Sequence, residues 1–154
     1  MMSYELLKVI HIICSTILFG TGIGSAFYMF MANRRGDLAG IVFATRHVVI
    51  ADWAFTTPAV IIQFLSGYLL ARELGYDFSE RWLQIAIALY FFAGACWLPV
   101  VWIQIKMRDM ASEAIQENKK LPARYWHLDK WWLILGALAF PAILIVFYLM
   151  VVKP

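Results

Sequence analysis

The stretch "LLKVIHIICSTILFGTGIGS", residues 6–25, holds a single imidazole, at His11, in an otherwise apolar run whose only charge is Lys8. A helix turns about 100° per residue, so Ser15, Gly22 and Ser25 fall within about 40° of His11 around the axis. The histidine therefore heads a stripe of small residues, which Gly20 and Gly24 broaden on an adjoining face as a G-x-x-x-G. Two readings compete. In one, the stripe is a close-packing surface, and His11 sits near the membrane interface, bonded to headgroups or a backbone carbonyl. In the other, the stripe makes room for a flat macrocycle whose iron His11 ligates. Coordination would offset the cost of desolvating an imidazole.

A second polar set opens the next apolar run in "TRHVVIADW". Asp52 lies about one turn into that run, where an acid is a functional candidate, as a proton relay or a polar site. The alternatives are an ion pair with a basic residue such as Arg46 or a cap at the interface. His47 and His127, the latter in "ARYWHLDKWW", belong to the same side of the membrane and could share a metal. His11 belongs to the other side. Its partner would come from Gln84, Tyr68, Met150, Lys153 or a second subunit. Cys14 and Cys96 form no C-x-x-C and read as small buried residues. Met107, Met110, Ala111 and Ala114 share a helix face that reads as packing surface rather than a copper site. No H-E-x-x-H, G-x-S-x-G or G-x-x-x-x-G-K-[ST] occurs.

The elements that must position these residues follow from composition. Of 154 residues 63% are hydrophobic and 15% charged, with mean hydropathy +0.73. A soluble domain is roughly half apolar and about a quarter charged. Four apolar runs, about 9–31, 48–71, 83–105 and 131–152, are each long enough to cross a bilayer as a helix. The expected fold is an all-α transmembrane four-helix bundle, one integral membrane domain over residues 1–154. The first run lacks the basic n-region of a cleaved signal peptide.

Nine basic residues in the first and third loops, against four on the other side, put those loops in the cytoplasm and both termini in the periplasm of a bacterial inner membrane. The net charge of +3 is thus an orientation signal, and nothing points to nucleic acid. A turn is expected at Gly36-Asp37, a helix N-cap at Ser79, and an extension of the third helix through Gln116 with stops at Asn118 and Pro122. Tryptophans near the span ends form an aromatic belt, and Pro58, Pro99 and Pro141 predict kinks.

The segments "ADWAFTTPAVIIQFLSGYLLA", "WLPVVWIQIKMRDMA" and "RYWHLDKWWLILGALAFPAILIVFYLMVVKP" resemble a family of small bacterial integral membrane proteins of unknown function. More distantly the chain resembles the HemJ-type protoporphyrinogen oxidases, which bind haem in the membrane. Lys8 and His11 match the lysine and histidine of that family's first helix. Thr57, Pro58 and Gly67 match its second, and Val151-Val152-Lys153-Pro154 matches its chain end. The resemblance implies that His11 is a haem ligand. Where that family has Trp-Leu-x-x-Lys, this chain has Trp82-Leu83-Gln84-Ile85-Ala86. Where it has Asn-Glu before the last proline, this chain has Ala139-Phe140. What carries over is the scaffold and its histidine, rather than porphyrinogen oxidation.

The expected function is a haem b-binding inner-membrane protein with a redox or haem-handling role. His11 would be the axial ligand, with Ser15, Gly22 and Ser25 accommodating the ring. A quinone or redox protein would be its partner, and membrane oxidoreductase activity would follow. The alternatives are a non-catalytic structural or regulatory membrane subunit and a small metal or solute transporter built on His47 and Asp52. Four short helices enclose little interior, so a homodimer is expected.

Overall fold

The computed structural model describes residues 3–154, with no strand among them. Its elements are α1 (Tyr4–Arg35), α2 (Leu38–Ala51), a π-helical segment (Asp52–Thr56), α3 (Thr57–Glu73), α4 (Arg81–Gln116) and α5 (Ala123–Val152). The run from Leu38 to Glu73 is one continuous helix, so four helices are long and apolar enough to cross a membrane. Each expected span lies inside one of them. The helices overrun the spans because their polar ends continue past the apolar windows.

Local chemistry sets the boundaries. The Ser3 hydroxyl accepts from the Leu6 N–H at 3.3 Å, and the Asp37 carboxylate accepts from the Gly40 N–H at 2.9 Å. Between α1 and α2, Gly36 takes φ 71°, and its N–H closes the first helix on the Ala32 carbonyl. The turn lies where the sequence placed it. α4 also runs to Gln116 as expected, and the chain reverses through Asn118 at φ 52°. The cap expected at Ser79 falls instead on Glu80. The Ser79 N–H is turned back onto Asp77 Oδ1 at 2.9 Å, which holds the Asp77 carboxyl below the usual carboxylate range.

α4 and α5 share the most extensive seam. α2 packs on α4 and α1, α3 packs on α1, and α1 touches α5 only sparingly. Two packed regions close the bundle. At the end bearing both termini, Ala71, Trp82, Leu83, Ala86 and Leu149 interlock. At the opposite end, Met29, Ile41, Ile103, Met107, Tyr125 and Trp132 do so. Met107 and Ala111 are fully buried there, so the methionine face is packing surface. Cys14 and Cys96 are buried free thiols. Around the outside, Phe27, Phe43, Leu98 and Ile134 are exposed, a surface suited to lipid.

At that opposite end one side chain ties the first helix to the last. Asn33 donates to Asp129 Oδ1 at 2.7 Å and accepts the Tyr125 hydroxyl at 2.7 Å. Asn33→Leu strands both partners and is expected to cost about 1–3 kcal/mol, whereas Tyr125→Phe leaves the Asn33–Asp129 bond and costs about 1 kcal/mol. Thermal unfolding in detergent reads the difference. An Asn33→Leu protein as stable as the parent would contradict a structural role for the clamp.

Candidate functional site

α3 follows a π segment and opens with Pro58 at its second position. The Thr57 N–H bonds the Asp52 carbonyl five residues back. Single π turns of this kind occur frequently at functional sites. From here α3 leans on α1, and its polar Gln63 and Ser66 together with Gly67, spaced i, i+3, i+4, meet His11. Both nitrogens of the His11 ring are engaged, Nδ1 with Ser66 Oγ at 2.9 Å and Nε2 with the Gln63 amide nitrogen at 3.1 Å. The same Gln63 NH2 donates to Ser15 Oγ at 2.8 Å. Ser15 in turn donates to the His11 carbonyl, and Ser66 to the Gln63 carbonyl. With Gln63 as donor, Nε2 accepts, and the proton sits on Nδ1 facing Ser66.

Gly67 lies under the ring. A Cβ there would come within 3.0 Å of His11 Cε1.

This cluster forms one wall of a cavity of about 560 Å3 near the terminal end. Its other walls are mostly apolar, and Lys8, Lys153, Tyr68 and Met150 also line it. Lys153 Nζ donates to the Tyr76 hydroxyl at 2.6 Å and lies 4.7 Å from the Tyr76 ring centre, tying the chain end to the loop before α4. Of the partners expected for His11, Tyr68, Met150 and Lys153 share its cavity; Gln84 is exposed and lies outside it.

A second cavity, of about 450 Å3, lies farther along the bundle. Tyr90 borders both, its hydroxyl held by the Val60 carbonyl at 2.6 Å. Gly22 and Ser25 line this second cavity, while His11 and Ser15 line the first. The single ring site expected of His11, Ser15, Gly22 and Ser25 is therefore divided. Alignment around the axis does not set depth: Gly22 is about 16 Å and Ser25 about 21 Å from His11 along the helix at 1.5 Å per residue. Phe140 of α5 also covers Gly22, where a Cβ would meet its ring at 3.4 Å.

Asp52, only 4% exposed, faces the second cavity. Its partner is neither Arg46 nor another cation. The Gln104 amide, oriented with its NH2 toward Asp52, donates to the carboxylate and accepts from Trp132 Nε1 at 3.2 Å. His47 and His127 are each bonded within their own helix, to the Phe43 carbonyl at 2.8 Å and to Trp131 Nε1 at 3.3 Å. Both are exposed, and neither lines either cavity. No group of three or more His, Cys, Asp or Glu suited to a metal occurs among the described residues. Sequence reasoning missed Gln63, Ser66, Tyr90 and Gln104. The polar i, i+3, i+4 spacing inside "VIIQFLSGYLL" was the available signal for the first two.

Histidine-selective 15N NMR is expected to report His11 as the Nδ1–H tautomer. Gly67→Val, whose side chain would occupy the ring's place, should abolish that signature. An unchanged His11 signal in this variant would contradict the contact.

No curated protein and no solved structure matches the chain. One family model, described as a predicted integral membrane protein of the DUF2269 family, matches residues 5–154. With that match spanning nearly the whole sequence and four membrane-length helices in the structure, the chain belongs to the DUF2269 family of integral membrane proteins, a family of unknown function.

Proposed function

We propose that the protein binds haem b in the first cavity through His11, in a redox or haem-handling role. The observation that carries the reading is the setting of the imidazole. One nitrogen is fixed by Ser66, as the second nitrogen of a ligating histidine commonly is, and the ring lies against Gly67 at the wall of a largely apolar cavity. The residues fit the group. His11 Nε2 would be the ligand once the neutral Gln63 amide swings aside. Met150 supplies a thioether in the same cavity, and Lys8 and Lys153 supply positive charge for two carboxylates. Bound there, haem would supply one-electron chemistry, tuned by the second ligand and by burial. The likeness to HemJ-type oxidases at Lys8, His11, Pro58 and Gly67 supports the same residue.

In this reading the protein sits in a bacterial inner membrane with both termini in the periplasm, because the basic residues concentrate in the first and third loops. A membrane quinone or a redox protein would exchange electrons with it. The working unit would be a homodimer: Gly20 and Gly24 meet no other helix of their own chain, which leaves a flat face for a second copy. Native mass measurement should give the dimer; a monomer at all concentrations would contradict it.

Hemin titration of the purified protein tests the ligand. His11→Ala should lose affinity by at least about tenfold, and Ser66→Ala by about tenfold through loss of ring orientation. Gln63→Leu has the opposite sign. It frees Nε2 of a competing hydrogen bond, so hemin should bind about fivefold tighter, the equivalent of about 1 kcal/mol. Were Gln63 instead to hydrogen-bond the natural ligand, the same substitution would weaken binding. A His11→Ala protein that takes up hemin as the parent does would overturn the proposal.

A further inference from the structure

The second cavity poses a charge problem that the first does not. A carboxylate at lipid depth is costly unless it is paired. Asp52 is nine-tenths buried, and among the described residues the ion pairs are Arg108–Asp109 and Lys119–Glu117, both away from it. Its partner Gln104 is neutral. The Thr56 hydroxyl, one helical turn on, lines the same cavity beside the Asp52 carboxyl and is 6% exposed as a residue. Two oxygen-bearing side chains therefore face a cavity whose lining carries no positive charge.

The remaining walls are mostly apolar and rich in aromatic rings, including Phe19, Tyr90 and Phe140, with Ser25 and the unpartnered Trp97 Nε1–H as further polar groups. Aromatic faces attract organic cations, and a carboxylate in a low-dielectric pocket attracts them further. The rim is open to lipid. Ile23 and Phe27 on α1 and Leu133 on α5 border the cavity and are exposed, and α1 and α5 touch only sparingly. The volume of about 450 Å3 is in the range of small-molecule sites.

From this we infer that the second cavity is a binding site for a lipophilic organic cation, which enters from the bilayer between α1 and α5 and places its charge against Asp52 and Thr56. The site is independent of the His11 cavity, so it stands whether or not haem binds there.

Methyltriphenylphosphonium and its neutral carbon isostere, 1,1,1-triphenylethane, provide the probe pair. Equilibrium dialysis with detergent-purified protein should show saturable binding of the cation and at least about tenfold weaker binding of the isostere. Asp52→Asn, which keeps shape and removes charge, should lose cation affinity by at least about tenfold. His11→Ala should retain it, which separates this site from the haem site. Should Asp52→Asn fail to fold, the unmodified protein still decides: methyltriphenylphosphonium should protect Asp52 from modification by dicyclohexylcarbodiimide, read by peptide mass spectrometry. Equal binding of cation and isostere, full affinity in Asp52→Asn, absence of saturable binding, or absence of protection would each overturn the inference.

Discussion

The register break at Asp52–Thr56 is the constraint on which the rest of the bundle depends. A π turn adds one residue to the helical repeat and so rotates everything after it by about 100° relative to an uninterrupted helix. Pro58 then removes the N–H that would have rebuilt the next regular bond. The result is one membrane-length helix whose halves pack differently: α2 lies on both α4 and α1, whereas α3 lies chiefly on α1. Between α3 and α4, the Tyr90 hydroxyl bonds the Val60 carbonyl, Phe64 packs on Tyr90 and Phe91, and Ala71 joins the terminal packed region. The packed regions at the two ends hold the four helices together around this mismatch, and Asp52 and Thr56 of the π segment line the second cavity.

Polar groups then take positions that a regular helix would not offer. Gln63, Ser66 and Gly67 on α3 meet His11 and Ser15 on α1, with each hydroxyl returning its proton to a nearby backbone carbonyl. This network holds both ring nitrogens and leaves one buried acceptor, Gln63 Oε1, without a partner. Asp52, in the π segment, is served by a neutral amide that is itself steadied by the indole of Trp132. One cavity thus presents an imidazole and two lysines, and the other presents a carboxylate. Tyr90 stands between them. The two cavities differ in the sign of the charged groups that line them.

The fold was legible because lipid imposes it. Four apolar runs of sufficient length leave the backbone no choice but helix, and the Gly36 turn and Asn118 reversal carry their own local chemistry. The sequence marked a break at Pro58, whose ring crowds the Ala54 carbonyl four residues back, but its form as a π segment over Asp52–Thr56 was not legible. That one unread feature propagated. The stripe from His11 to Ser25 is real around the axis, yet its members serve different cavities because side chains from α3 and α5 fill different depths. Asp52 stood out in the sequence as a polar site, whereas its partner Gln104 did not, because the pair is built between α4 and the π segment. His47 and His127 share a side of the bundle, as their topology implies, and each bonds within its own helix and lines neither cavity.

The central claim is that the His11 cavity holds haem b, and the most direct measurement is the visible spectrum of the protein purified from haem-replete cells, oxidised and then dithionite-reduced. The account predicts a Soret band and sharp reduced bands in the parent protein, both absent from His11→Ala. A colourless parent protein that stays colourless after added hemin would contradict it.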